Sequence, residues 1–337
     1  MKSKVLNSIS KKVSLLSLNS SKKVIPVVCG PTASGKSDFA IELAKEIGYS
    51  IISADSRQVY RFLDIGTAKI PIDKNCYFSG ILHSTIDFLS LDQTFSAGMF
   101  AKDVDDILEK DDKQIICGGT GFYIDAFFNK IDPIRKRSLQ KNDIIDMSQK
   151  ESFERLKDLS PIDADKIDKK NPVRVKRALE YVSETGKPFF SSKQRNDSYL
   201  PFYIMPNVVM EEPPKRQGPT LDSTPMRYKL YEQIDARCDL MWKTGLKQET
   251  HNSLEILEIS IDKALSLLES GELPNSLNTV GYKEMILFLS EKYSKDQAID
   301  LMKKNTRNYA KRQLTWFRRI ATENEDNTCF VEFSSAF

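Results

Sequence analysis

Apolar and polar positions alternate along the chain in patterns that assign its main elements. Val24 to Cys29 is a continuous apolar run, of the length expected for a strand covered on both faces. From Asp38 to Ile47, the residues Ala40, Leu43, Ala44 and Ile47 recur at helical spacing and predict a helix with one buried face. The runs Tyr49 to Asp55 and Gln114 to Cys117 predict two more short strands, the second followed by Gly118-Gly119-Thr120-Gly121 and an apolar segment from Phe122. Met226 to Lys247 and Ala298 to Ile320 carry apolar residues three and four apart and predict long helices. Strands alternating with helices point to an α/β fold with a parallel sheet. Tyr199 to Met210 is the most apolar stretch, but Pro201 and Pro206 interrupt it and it is too short to span a bilayer, so no membrane element is expected.

Elsewhere the pattern weakens. Met1 to Lys23 has six lysines, many serines and no acid, and reads as a basic disordered extension, or else as an organelle-targeting segment that lacks the usual arginines. Residues 131–200 carry sixteen Lys or Arg against twelve Asp or Glu and only helical patches, which predicts a small helical insertion over 131–199. Within it, Pro172 opens a helix whose Val173, Arg174 and Arg177 form a basic side opposite Val175, Ala178 and Leu179. Residues 206–225 hold five prolines and read as an irregular excursion. The expected division is a core of 24–130 and 200–322, the insertion between them, and a short tail, 323–337.

Composition narrows the chemistry. A chain of 337 residues suggests one large domain with an insertion, or two domains. A net charge of +3 is too small to matter, so electrostatics must be local. The five cysteines are scattered without a C-x-x-C and read as reduced thiols of a cytosol-like compartment. His83 and His251 are the only histidines, too few for His-based zinc sites or hydrolase triads.

The strongest chemical signal is Gly30-Pro31-Thr32-Ala33-Ser34-Gly35-Lys36-Ser37, a match to G-x-x-x-x-G-K-[ST] between a predicted strand and a predicted helix. Its backbone N–H groups and the positive end of the helix form a cradle for a di- or triphosphate. Lys36 adds a charge on the phosphates, and the Ser37 hydroxyl suits the shell of a Mg²⁺ ion. Asp55, at the end of the second strand, falls at the carboxyl edge of the sheet, where it could serve as a base, hold Mg²⁺ through water, or simply cap a turn. The polar loop from Ser56 to Lys69 is better suited to touching substrate than to filling a core. Thr120 could face the phosphates or act as an ordinary N-cap. Residues 301–320 contain Lys303, Lys304, Arg307, Lys311, Arg312, Arg318 and Arg319 with no acid, a charge pattern that suits nucleic-acid backbone.

Together these segments resemble the tRNA dimethylallyltransferases. The resemblance rests on GPTASGKS at Gly30 to Ser37, ISADSRQVYRFLDIGTAK at Ile52 to Lys69, GGTGFY at Gly118 to Tyr123, NPVRVKRALE at Asn171 to Glu180, VGYKEM at Val280 to Met285 and YAKRQLTWFR at Tyr309 to Arg318. It implies a P-loop NTPase-like parallel sheet with a helical insertion domain, acting as a monomer. It implies transfer of a dimethylallyl group from dimethylallyl diphosphate, with Mg²⁺, to the N6 amine of the adenosine beside the anticodon in tRNAs reading codons that begin with U. By the resemblance, Thr32 through Ser37 and Thr120 hold the diphosphate, Asp55 is the base, and Arg237 neutralises the leaving group. It also makes Ser56 and Gln58 base contacts, and Lys283, Lys311, Arg312 and Gln313, with Arg174, Arg177 and Arg307, contacts to the tRNA anticodon stem-loop.

Gln233 stands where the family often has an arginine, and 206–222 and 248–262 are longer than usual. The chain ends without the zinc finger of many eukaryotic relatives, which favours a bacterial or organellar type in the cytoplasm. Three alternatives stay open: an adenylate isopentenyltransferase, which needs less RNA-binding surface, a P-loop small-molecule kinase, which has no use for the terminal basic helix, and a non-enzymatic RNA-binding module, which needs no pyrophosphate cradle.

Overall fold

A computed structural model describes residues 2–129, 147–189, 196–211 and 225–333. The parts of the expected insertion, Pro-rich excursion and tail at 130–146, 190–195, 212–224 and 334–337 lie outside the described residues.

The described strands are β1 (Lys23–Cys29), β2 (Ser50–Ser53), β3 (Tyr77–Phe78), β4 (Ile81–Ser84), β5 (Gln114–Gly118), β6 (Tyr199–Pro206) and β7 (Thr328–Val331). They form one seven-stranded sheet in the order β3-β4-β2-β5-β1-β6-β7, parallel except for the β3–β4 pair. Val24 to Cys29 of β1 are buried throughout, as a strand with covered faces requires. The helices are α1 (Lys2–Asn19), α2 (Lys36–Ile47), α3 (Ala97–Lys110), α4 (Gly121–Phe128), α5 (Gln149–Leu159), α6 (Pro161–Lys166), α7 (Pro172–Thr185), α8 (Pro225–Thr244), α9 (Leu246–Ile256), α10 (Ile261–Ser270), α11 (Tyr282–Leu289) and α12 (Lys295–Glu323). Local chemistry sets their ends. Gly48 closes α2 in the left-handed region, with its N–H on the Ala44 carbonyl, and a Ser294–Gln297 capping box opens α12.

The chain divides into two compact units, one of Met1–Phe95, Asp103–Ile124 and Asp197–Phe337, the other of Ser96–Lys102 and Asp125–Asn196. The first contains the sheet. The second has its own small core, in which Leu156, Ile167, Val175, Ala178, Leu179 and Val182 are buried together.

Four elements differ from expectation. Residues 2–19, expected to be disordered, form α1; Val5, Leu6, Ile9, Val13 and Leu16 lie three or four apart and pack into the core beside α2 and β1, with Ile9 and Val13 at 3% and 4% exposure. The proline-broken run from Tyr199 is strand β6, paired along β1 from Lys23↔Tyr199 to Val28↔Ile204. The predicted helix over 226–247 breaks into α8 and α9 at Gly245, whose φ is 127°. Within the expected tail, Thr328–Val331 adds to the sheet as β7, against Tyr203–Pro206.

Docking of α1 has a stability consequence. Ile9→Ala removes a fully packed side chain and is expected to cost about 2–4 kcal/mol in urea unfolding, whereas an unchanged midpoint would show α1 detached from the core.

Candidate functional site

The site is built at the carboxyl ends of three adjacent strands, β2, β5 and β1. Each ends in a sharp turn, so the loops after Ser53, Gly118 and Cys29 meet at one sheet edge. The phosphate loop runs from β1 into α2, and Ala33 and Gly35 bend it through positive φ of 61° and 79°. The glycine turn after β5 lies so close to β2 that a Cβ on Gly118 would stand 2.1 Å from the Ala54 carbonyl oxygen.

One cavity brings together Thr32, Lys36 and Ser37 of the loop, Asp55 after β2, and Arg237 of α8. Its remaining lining is mixed, with Ile41, Ile51, Ile70 and Ile86 beside the polar Ser53, Gln58, Thr67 and His83. The guanidinium of Arg237 donates to the Thr32 hydroxyl. The Lys36 ammonium donates to the Pro31 carbonyl at 3.3 Å. Burial lowers the pKa of Lys36 from its ordinary 10.5, and the nearby Arg237 pushes in the same direction against the Asp55 charge. Neither cation has an ion pair among the described residues, and the Ser34 hydroxyl is buried without a hydrogen-bond partner. Two positive groups and an unpartnered donor beside a helix N-terminus suit an anion carrying several charges. Asp55 Oδ1 accepts from the backbone N–H groups of Arg57 at 2.9 Å and Gln58 at 3.4 Å. The turn-capping reading of Asp55 is therefore realised, and Oδ2 is left to face the cavity chemistry.

Other expected site residues fall differently. The Thr120 hydroxyl accepts from the Ser56 N–H at 3.0 Å, donates to Ser56 Oγ at 3.4 Å and bonds the Tyr309 hydroxyl. Thr120 and Ser56 thus hold each other and do not line the cavity. Burial, with Asp55 nearby, pushes the Tyr309 phenol up to about 12, so it keeps its proton. Gln58 does line the cavity, but its amide donates to the Thr67 and Ala68 carbonyls at 3.2 and 3.1 Å, leaving its Oε1 as the group for contact.

The last helix also sorts its polar residues. Gln313, expected at the RNA, is 6% exposed; its oxygen accepts from the Thr32 N–H and its amide donates to the Gly119 carbonyl, both at 2.8 Å. Arg307 Nη1 is held by both Asp235 oxygens at 2.5 and 2.7 Å, which ties one end of the guanidinium expected at RNA phosphate to α8. Arg318 donates to the Val209 and Glu211 carbonyls at 3.1 and 2.7 Å, and Lys303 pairs with Asp239 at 2.8 Å. Lys304, Lys311 and Arg312 stay exposed without an ion pair among the described residues, Lys311 over the Tyr231 ring and Arg312 over Tyr309. Lys283 is half-buried on α11, while Arg174 and Arg177 are exposed on α7 of the second unit. The motifs alone did not single out Gln313 as a brace for the phosphate loop; its amide, on an otherwise basic helix, was the available signal.

Known proteins resemble this chain in sequence and fold. A family model described as IPP transferase matches residues 58–320, and one described as isopentenyl transferase matches 23–76. A tRNA dimethylallyltransferase of Cytophaga hutchinsonii is 34% identical over 308 residues, covering 89% of this chain and 91% of its own. That of Ligilactobacillus salivarius is 38% identical over 312 residues, with 88% and 90% covered. The crystal structure of a tRNA isopentenylpyrophosphate transferase from Staphylococcus epidermidis is 30% identical, has a TM-score of 0.53 and covers 92% of this chain and 93% of its own. A eukaryotic dimethylallyltransferase acting on tRNA, at 23% identity, shares the fold with a TM-score of 0.74 over 93% of this chain and 74% of its own. With a family model spanning most of its length and relatives matched nearly end to end above 30% identity, the chain belongs to the IPP transferase family, the tRNA dimethylallyltransferases.

Proposed function

We propose that this protein transfers the dimethylallyl group of dimethylallyl diphosphate to the N6 amine of the adenosine beside the anticodon of tRNA, releasing diphosphate. The observation that carries the reading is the single cavity in which Lys36 and Arg237 meet Asp55 and four isoleucines, Ile41, Ile51, Ile70 and Ile86. A charged end for a diphosphate, a carboxylate at the junction and an isoleucine-rich side for a hydrocarbon are what an allylic diphosphate requires.

The adenine N6 is a weak nucleophile because its lone pair is delocalised into the ring. As the N–C bond forms, Asp55 accepts the N6 proton through its free oxygen, while its other oxygen stays fixed on the Arg57 and Gln58 amides. The C–O bond to the diphosphate breaks in the same process. The charge that accumulates on the leaving oxygen falls on the loop amides, Lys36 and Arg237, which are oriented before reaction begins. The donor set also fits Mg²⁺ carried on the diphosphate: Ser37 lines the same cavity and would bind the ion, with Asp55 reaching it through water. When bound, such an ion supplies further neutralisation of the diphosphate charge. On the RNA side, the exposed Lys304, Lys311 and Arg312 offer phosphate contacts that help offset extrusion of the base.

The direct test is incubation of the purified protein and Mg²⁺ with radiolabelled dimethylallyl diphosphate and, separately, unmodified tRNA, AMP or ATP. Label in tRNA alone is expected; label in the free nucleotides would move the assignment to adenylate prenylation, and label nowhere would remove prenyl transfer. Asp55→Ala is expected to keep tRNA affinity while turnover falls by about 10²–10⁴-fold, and unaltered turnover would take Asp55 out of the mechanism.

The lowered pKa of Lys36 gives a pH dependence. Protonated Lys36 binds diphosphate, and burial brings loss of that proton to lower pH than in a free lysine. Affinity for inorganic pyrophosphate, read by calorimetry, is therefore expected to decline with rising alkalinity before the ordinary lysine range is reached. Lys36→Arg, which stays protonated, is expected to flatten that decline. A wild-type slope persisting in Lys36→Met would assign it to another group.

A further inference from the structure

One wall of the donor cavity is formed by Gln58, Thr67 and Ala68 of the loop before β3. That loop is fastened from behind by Glu249 of α9, a residue with no part in the chemistry above. Glu249 Oε2 accepts from the backbone N–H groups of Asp64 at 2.8 Å and Ile65 at 2.7 Å, and Oε1 from the Gly66 N–H at 2.8 Å and the Tyr282 hydroxyl at 2.5 Å. Three successive amides thus converge on one carboxylate from 183 to 185 residues away in sequence. Hydrogen bonds to an ionised acceptor are stronger than neutral ones.

The clamped residues lead directly into the cavity wall. The Ala68 N–H bonds the Ile65 carbonyl at 3.0 Å and the Lys69 N–H bonds the Asp64 carbonyl at 2.9 Å, closing a turn on the clamp. The Thr67 and Ala68 carbonyls in turn hold the Gln58 amide. Tyr282 enforces the arrangement sterically as well, since a Cβ on Gly66 would stand 2.5 Å from its ring. Burial and the adjacent Glu249 carboxylate raise the Tyr282 pKa well above the ordinary value, so the phenol remains a donor. From the other side, Lys69 grips the loop through the Tyr60 carbonyl at 2.6 Å and the carboxylates of Asp64 and Asp87 at 2.7 and 2.5 Å.

We propose that Glu249, oriented by Tyr282, is a positioning residue that fixes the Thr67–Ala68 wall and thereby sets both donor affinity and the five-carbon limit on the chain transferred. This rests on the prenyl-transfer reading above. A carboxylate that served the fold alone would grip core elements, whereas this one grips the backbone that leads straight into the lining of the donor cavity, where Thr67 and Ala68 stand with the isoleucines.

The test compares wild type, Glu249→Gln and Tyr282→Phe in steady-state transfer to tRNA from dimethylallyl diphosphate and from geranyl diphosphate, with tRNA affinity measured in parallel. Glu249→Gln keeps the shape but turns an NH₂ group toward backbone N–H groups. It is expected to raise KM for dimethylallyl diphosphate by about 10-fold or more, at unchanged tRNA affinity, and to shrink the preference over geranyl diphosphate by a similar factor. Tyr282→Phe is expected to move both quantities the same way by less, and it carries the comparison if Glu249→Gln does not fold. Variants whose donor KM and chain-length preference match wild type overturn the proposal, even if their melting temperatures fall. A wild type that transfers from neither donor overturns the prenyl-transfer reading and this proposal with it, whereas an active wild type with indifferent variants overturns only this one.

Discussion

The carboxamide of Gln313 joins the phosphate loop, the glycine turn after β5 and the last long helix through two bonds of 2.8 Å. The partners lie 281 and 194 residues away in sequence, so the contact exists only once the whole sheet-containing unit has closed. Gly119 has to be glycine for the bond to form, because a Cβ there would stand 2.4 Å from the Gln313 nitrogen. An amide suits this position in a way no charged residue would. It accepts from Thr32 and donates to Gly119 at once, and it adds no net charge beside a site whose function depends on positive potential.

That potential is concentrated by the rest of the design. Lys36 and Arg237 come from distant parts of the chain to one cavity, and no described carboxylate pairs with either. Desolvation of the two is unfavourable for the free protein, and Lys36 shows it in a lowered pKa. A bound diphosphate reverses the balance, which is how a site gains affinity for a multiply charged leaving group while remaining poised to stabilise more charge as the bond breaks. Asp55 is kept apart from these cations by its turn. One of its oxygens is fixed on two backbone amides, and it forms no ion pair with either cation, an arrangement that suits the role of base proposed for it. The neighbouring thiol of Cys117 is pushed by burial up to about 12 and therefore stays neutral in this setting.

The loop chemistry was legible in the sequence because it is local. G-x-x-x-x-G-K-S, the acid ending a short apolar run and the second glycine turn each announce their geometry within ten residues, and adjacency in a parallel sheet brings them together. What stayed hidden depends on tertiary partners. The basic, serine-rich composition of residues 1–23 masked a helical apolar stripe from Val5 to Leu16 that has meaning only against the core. The apolar run from Tyr199, interrupted by Pro201 and Pro206, is assigned to no element by its pattern, yet β6 pairs along β1, and its contacts with β7 begin only at Tyr203. Thr120 looked aimed at phosphate until Ser56 and Tyr309 were in place to hold it.

Charge counting failed most on the last helix, for a physical reason. Residues 301–320 contain no acid, so the stretch reads as uniformly basic, but its acids arrive from elsewhere: Asp235 and Asp239 of α8 take Arg307 and Lys303, and two backbone carbonyls take Arg318. These partners hold the inner side of α12 and leave Lys304, Lys311 and Arg312 exposed without an ion pair among the described residues, beside an exposed Arg319 that pairs with Glu323 of the same helix. The same rigid helix turns Gln313 inward to the phosphate loop. A polyanion drawn to its outer face would thus meet an element whose inner face is already fixed to the phosphate loop through Gln313, with no moving part between the two.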